Sequence, residues 1–161
     1  MRTPMILLVA GFLLVSGPAL ADSPSQAELL DQYLDTVKGD LTERRDAALR
    51  AVLVLSDEEA EAFWPLQKQY DRERGRLGKE RRKLLKEWGK VYQKLDAETA
   101  QRLAAQAFSL DEQRTALRKK YFDLMSERVN PVVAAQFLQL EGQFETMGDL
   151  KLATYVPLAS R

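Results

Sequence analysis

The stretch from Ser56 to Leu95 carries no strong helix-stop signal, and its length constrains the fold more than any other feature of the chain. It begins with Ser56-Asp57-Glu58-Glu59, a capping box in which serine and glutamate satisfy each other's free backbone N–H groups. A helix of roughly 38 residues spans about 57 Å. Because that is too long for a compact globule of this size, we expect a second long helix to pair with it.

The segments after this helix have the same character. Asp96 predicts a helix start, and Asn130-Pro131 combines a cap with a proline at the first helical position. Apolar residues recur at spacings of three and four in both segments: Ala100, Leu103, Ala107, Leu110, Leu117, Tyr121 and Leu124 in the first, and Val133, Phe137, Leu140, Phe144 and Met147 in the second. Such stripes predict buried helix faces, and no run has the alternation of a strand.

We therefore predict an all-α fold without a sheet. Residues 55–95 and 96–129 would form an elongated antiparallel hairpin of two long helices. Residues 130–150 would form a last helix, and residues 151–161 an extended tail. These elements and the shorter helices before them make residues 22–161 a single helical domain, which is a usual size for one domain.

The segment before the hairpin, residues 22–54, predicts two short helices. Ser25 to Glu28 is a second capping box, which would start a helix that runs to Lys38. Gly39 is a residue type that often follows a helix C-terminus, so we expect the chain to break there and to resume helix from Asp40.

The first 21 residues have the layout of a cleavable export signal. Arg2 precedes an apolar run from Met5 to Val15, and Ala19-Leu20-Ala21 supplies the small residues of a cleavage site after Ala21. The apolar run is shorter than the roughly 20 residues that a membrane-spanning helix needs. We therefore expect a periplasmic protein, or a secreted one, with no integral membrane segment after signal cleavage.

The composition excludes several classes of chemistry. The chain contains no cysteine and no histidine, so it has no Ser-His-Asp or Cys-His catalytic set and none of the usual zinc ligand sets. It has no phosphate-binding glycine loop, and its paired carboxylates lie at caps or on polar faces. We expect neither an enzyme nor a bound cofactor or metal, although a hard-cation site made of carboxylates stays open as a third hypothesis.

The charge is balanced overall but not along the chain. Residues 22–62 contain 11 acidic and 4 basic side chains, a net charge of −7, and residues 63–94 contain 11 basic and 4 acidic, a net charge of +7. Such a division can set up contacts between segments or between copies. The overall balance argues against a nucleic-acid partner.

A row of basic residues follows one face of the first long helix: Arg72, Arg76, Lys79, Lys83, Lys86 and Lys90. Glu73, Glu80 and Glu87 each stand three residues before one of these cations and can form local ion pairs. One interpretation is therefore a solvated face joined by such pairs. The other is a surface for an anionic partner, either an acidic client or the acidic N-terminal segment of a neighbouring copy.

The same helix carries two further ambiguous features. Adjacent Phe63 and Trp64 point about 100° apart on a helix, so Trp64 either packs under the N-terminal helices or belongs to a contact patch. Gly75 and Gly78 either allow close helix packing or make the helix deformable. Our candidate binding residues for a client or partner are Trp64, Arg72, Arg76, Leu77, Lys79, Lys83 and Lys86.

The order of caps and stripes resembles that of the periplasmic Spy/CpxP family, whose members carry degenerate LTxxQ motifs at helix starts. Leu55-Ser56-Asp57-Glu58-Glu59 stands at the first motif, with Ser for Thr and Glu for Gln. Val129-Asn130-Pro131-Val132-Val133 stands at the second and keeps the cap followed by proline. The resemblance covers residues 55–147. It implies a cradle-shaped antiparallel homodimer that binds unfolded envelope proteins without ATP, or an adaptor in envelope-stress sensing.

Two functions from different classes follow as hypotheses. The first is an ATP-independent chaperone or stress adaptor, which binds unfolded or partner proteins on an exposed helical surface. The second is a structural partner subunit of an envelope complex, in which the hairpin serves as a docking rod. An elongated hairpin leaves one face uncovered, and a second copy commonly covers such a face, so we expect a homodimer in either case.

Overall fold

The computed structural model describes residues 26–153, which form four helices: α1 (Gln26–Val52), α2 (Asp57–Val91), α3 (Ala97–Arg128) and α4 (Pro131–Ala153). The predicted all-α class is confirmed, since the described residues contain no strand. The expected signal peptide, the Ser25 cap and residues 154–161 lie outside the described residues. None of these four helices is both long enough and apolar enough to span a bilayer.

The helix starts predicted at Ser56, Asp96 and Asn130 are confirmed by their capping contacts. Ser56 Oγ accepts a hydrogen bond from the Glu59 backbone N–H at 3.2 Å, and the Glu59 carboxylate accepts one from the Ser56 N–H at 2.9 Å. Asp96 Oδ1 accepts from the Thr99 N–H at 2.8 Å, and Asn130 Oδ1 accepts from the Val132 N–H at 2.8 Å. Side-chain oxygens at these three positions therefore satisfy N–H groups that the first helical turns leave without a partner.

The N-terminal segment departs from prediction, because α1 is one helix of 27 residues rather than two short ones. Gly39 lies inside it and does not adopt a positive φ, so it does not form the left-handed cap that the prediction required. The helix continues because Leu41, Ala48 and Leu49 extend an apolar face that is buried or half-buried. Packing of this face outweighs the helix propensity lost at one glycine.

The sign of a stability change at Gly39 distinguishes the two backbone conformations. Gly39→Ala is expected to raise the free energy of unfolding by about 0.5–1 kcal/mol, because alanine is favoured over glycine in a helix interior. A Cβ at this position would meet no atom within 4 Å. Urea unfolding of both proteins measures the change. A loss of stability would instead indicate the left-handed cap, which alanine does not tolerate.

The C-terminal helix also runs further than predicted. Helix α4 continues past Gly148 to Ala153, so residues 151–153 are helical and not part of an extended tail. Its predicted stripe is buried at Val133, Phe137 and Leu140, but Met147 is 42% exposed. The stripe is therefore confirmed in the first half of the helix only.

The four helices pack in the order α2, α3, α4, α1. Helices α2 and α3 are antiparallel, as the hairpin prediction required: Glu73 of α2 contacts Lys120 of α3, whereas Glu87, further along α2, contacts Arg102, nearer the start of α3. Helix α4 packs on α3, and α1 packs on α4. The hairpin thus carries α4 along one side, and α1 reaches α2 mainly through polar contacts.

Candidate partner-binding surface and interhelical cavity

The basic row lies on the solvent side of α2. Arg72, Arg76, Lys79 and Lys83 are exposed, and Lys86 is half-buried. These residues therefore share one accessible face, as their spacing of three and four predicts.

The glutamates of α2 do not form the expected pairs three residues apart. Glu73 accepts hydrogen bonds from Lys120 Nζ at 2.8 Å and from the Tyr121 hydroxyl at 2.8 Å, both on α3. Glu87 likewise pairs with Arg102 of α3 at 2.9 Å. Two of the three glutamates that could neutralise the basic row are therefore paired with cations of the neighbouring helix instead.

The charge of Glu73 is held in place by α3. The hydrogen bonds from Lys120 and Tyr121 hold the pKa of the Glu73 carboxyl below its ordinary value. Burial and the Glu73 carboxylate together raise the pKa of Tyr121 to about 12. Glu73 thus stays ionised and engaged with α3 at neutral pH.

Three cations among the candidate binding residues consequently remain without a carboxylate. Arg76 pairs with Glu80 at 3.0 Å. Arg72, Lys79 and Lys83 have no ion-pair partner among the side chains that the structure describes. The interpretation of a face joined throughout by local ion pairs therefore holds only for Arg76.

The two apolar candidates lie elsewhere. Trp64 is half-buried, with the Arg50 guanidinium of α1 at 4.6 Å from its ring centroid, so it packs under the N-terminal helix. Leu77 is only 4% exposed. Leu77 lies on the apolar side of α2, away from the basic row, whereas Trp64 lies at the edge of the core beside α1. The expected exposed surface that combined them with the basic row is corrected to the cations alone.

The glycines of α2 do not serve close helix packing. A Cβ at Gly75 or Gly78 would meet no atom within 4 Å. Both glycines instead line a cavity of about 480 Å³ between the helices. The space arises because α1 packs on α4 and leaves a gap beside the middle of α2.

A buried charge network closes one side of this cavity. Arg45 of α1 is 1% exposed and donates a hydrogen bond from Nε to Glu141 of α4, which is 3% exposed. Arg45 Nη2 lies 2.8 Å from Asp71 Oδ1, although without hydrogen-bond alignment. Arg74 Nη1 approaches Glu141 at 3.7 Å. The network thus joins α1, α2 and α4.

The network controls the ionisation of its members. Burial acts to lower the pKa of Arg45, but the carboxylates of Glu141 and Asp71 outweigh it and raise that pKa. Burial and the Glu141 carboxylate also raise the pKa of Tyr70 above its ordinary value. Arg45 therefore remains charged and Tyr70 neutral at neutral pH. Helix α1 is held by a charge pair and not by apolar contacts alone.

Sequence reasoning missed Arg45 and Glu141, although a signal was present. Arg45 lies four residues after Leu41 and four before Leu49, inside an apolar row. Glu141 follows Leu140 and stands seven residues after the buried Ala134. Opposite charges on two apolar helix faces are the expected mark of a buried pair, since such groups are rarely buried alone.

Comparison with known proteins adds no assignment: no protein-family model, no curated protein and no solved structure matches the chain. Within the described residues, no group of three or more acidic side chains is arranged to hold a metal ion.

Proposed function

We propose that this protein is an exported, ATP-independent chaperone or envelope-stress adaptor that binds acidic stretches of unfolded or partner proteins on the solvent face of α2. The observation that carries the proposal is the set of exposed cations without a carboxylate partner, namely Arg72, Lys79 and Lys83. Of their glutamate neighbours, Glu73 and Glu87 are engaged by α3 and Glu80 by Arg76, so the positive charge is available to another molecule.

The spacing of these cations suits an extended chain. Arg72, Lys79 and Lys83 span eleven residues, or about 16 Å of helix at about 1.5 Å per residue. Contacts between exposed charges are weak and are screened within about 10 Å at 0.1 M salt. Several weak contacts along a flexible client permit capture and release without an energy source.

The resemblance to the Spy/CpxP family supports the same function, with a place in the periplasm and an export signal cleaved after Ala21. The proposal includes the homodimer. Phe108 of α3 is a large apolar side chain, yet 69% of it is exposed to water. A second copy of the chain would cover it.

An aggregation assay with a charge-reversed variant tests the proposal. The purified protein is expected to suppress light scattering by a reduced, unfolded acidic protein such as α-lactalbumin at near-stoichiometric ratios. The triple variant Arg72→Glu, Lys79→Glu, Lys83→Glu is expected to lose most of that suppression, because repulsion replaces attraction. Raising the salt concentration should weaken the wild-type effect in the same direction.

A second triple variant controls for net charge. Arg44→Glu, Lys119→Glu and Arg128→Glu make the same change in total charge at exposed positions on α1 and α3. This variant should suppress aggregation nearly as well as the wild type. Equal loss in both variants would show a general charge effect and contradict a site on α2, and absence of suppression by the wild type would contradict the chaperone function.

The alternative function, a structural partner subunit of an envelope complex, is favoured by a different observation. Val54 is 90% exposed before α2 and Val132 is 65% exposed in the first turn of α4. The Ser56 backbone and, to a smaller extent, the Asn130 side chain hold the pKa of the Glu59 carboxyl below its ordinary value, so these two helix starts are close to each other. Co-purification of one fixed partner, lost on Val54→Asp and retained in the charge-reversed triple variant, would favour this function.

A further inference from the structure

The cavity beside α2 has an apolar floor. Six apolar side chains from all four helices line it: Leu41, Leu77, Leu85, Leu117, Phe144 and Leu152. Its volume of about 480 Å³ falls within the roughly 300–1,000 Å³ of small-molecule sites. An apolar chain bound there would be removed from water and would pack against apolar side chains on several sides.

The charges around this floor are mostly paired. Among the described lining residues there are six arginines, Arg45, Arg74, Arg81, Arg82, Arg114 and Arg118, and each forms an ion pair with a carboxylate in the lining or just outside it. Lys79 is the cation of the described lining that has no carboxylate partner among the described side chains. An anion near this edge of the cavity would therefore be attracted chiefly by Lys79.

One donor in the lining also lacks a hydrogen-bond acceptor. Arg118 donates from Nη1 to Glu145, but its Nε is buried and has no acceptor among the described residues. A buried donor without an acceptor costs free energy, and a ligand oxygen would satisfy it.

We infer that the cavity binds a single-chain amphiphile with an anionic headgroup, a carboxylate or a phosphate. The alkyl chain lies on the apolar floor, and the headgroup oxygens accept hydrogen bonds from Arg118 Nε and Lys79. Gly75 and Gly78 keep the α2 wall open, since any larger side chain there would enter the space that the chain occupies. Arg72 and Lys83 lie on the opposite side of α2 from this cavity, whereas Lys79 borders both surfaces. Gly78 and Arg118 belong to the cavity lining alone, so variants at these two positions test the cavity separately from the proposed client surface.

Calorimetric titration with three amphiphiles of one chain length tests the inference, each below its micelle-forming concentration. Dodecanoate and dodecyl phosphate are expected to bind at a ratio of one per chain. Dodecanol is expected to bind at least about tenfold more weakly, because its neutral hydroxyl offers no charge to Lys79 and a weaker acceptor to Arg118 Nε. Equal affinity for dodecanol, or no binding of either anion, would overturn the inference.

A matched pair of glycine variants locates the site. Gly78→Leu is expected to raise the Kd for dodecanoate at least about tenfold by filling the cavity. Gly89→Leu makes the same substitution on the same helix, also in open space, but outside the cavity lining, and should bind as the wild type does. Thermal unfolding of both variants verifies that each is folded. Unchanged binding in Gly78→Leu would overturn the assignment to this cavity.

The headgroup contact is tested separately at Arg118. Arg118→Gln is expected to weaken dodecanoate about tenfold or more and to change dodecanol binding much less, because a neutral hydroxyl is the weaker acceptor for the guanidinium. An equal loss for both ligands would contradict the predicted headgroup position.

Discussion

Phe137→Ala is expected to lower the free energy of unfolding by about 3–5 kcal/mol, the usual cost of truncating a buried phenylalanine. Phe137 is 2% exposed and lies in the first half of α4. Its ring centroid is 5.7 Å from that of Phe63 and 5.2 Å from that of Tyr70, both with edge-to-face geometry. Tyr70 in turn contacts Tyr121 of α3 at 5.3 Å, so one aromatic cluster joins three helices.

The exposed phenylalanine of α3 provides a matched control. Phe108 is 69% exposed, and Phe108→Ala should change the free energy of unfolding by no more than about 0.5 kcal/mol. Urea unfolding followed by far-ultraviolet circular dichroism measures both variants. Should Phe137→Ala fail to fold, Phe137→Leu keeps most of the volume and should show a smaller loss. Similar changes at positions 137 and 108 would contradict the placement of α4 on the hairpin.

The elements of the hairpin could be predicted because their signals are local. Ser56, Asp96 and Asn130 each cap a helix through an oxygen that reaches N–H groups two or three residues ahead, so neighbouring residues decide the outcome. The apolar stripes follow from helix geometry in the same way. Their spacing on α3 and the first half of α4 therefore predicted buried faces that the structure contains.

Gly39 shows where local signals fail. Glycine is compatible with a helix interior at a cost of about 1 kcal/mol and with a left-handed cap at almost none. Which state forms depends on the apolar contacts of the residues that follow, and those contacts are made with α4, about a hundred residues later in the chain. The continuity of α1 thus depends on tertiary contacts, so it could not be predicted from the residues around Gly39 alone.

The charged side chains of α2 show the same limitation at the candidate site. Glu73 and Arg76 have a spacing that permits a local pair, yet Glu73 binds Lys120 and Tyr121 of α3. When two possible ion pairs have similar free energies, the distance to the neighbouring helix determines which of them the carboxylate forms. Sequence therefore predicted the basic row itself, but which of its cations stay unneutralised depends on the packing of the hairpin.

Arg45→Met is expected to lower the free energy of unfolding by about 3–5 kcal/mol, because it leaves the Glu141 charge buried without its main partner. Arg74, at 3.7 Å, is the nearest other cation in the network, and it is itself partly exposed. Glu141→Gln is expected to cost less, since Asp71 and Asp46 still neutralise the Arg45 guanidinium. Urea unfolding gives both values.

The neighbouring arginine supplies the control, and a double variant separates the charge from the packing. Arg44 has a side chain that is 71% exposed and, among the described residues, forms an ion pair only with Asp40 of the same helix, so Arg44→Met should change stability by no more than about 0.5 kcal/mol. Arg45→Met combined with Glu141→Leu removes both buried charges and should be more stable than Arg45→Met alone, because apolar side chains of similar volume can replace a buried ion pair at little cost. Glu141→Leu alone completes the comparison. If the loss of stability in the double variant equalled the sum of the losses in Arg45→Met and Glu141→Leu, the penalty would arise from lost packing at each position. Arg45 and Glu141 would then not act as a pair that attaches α1 to α4.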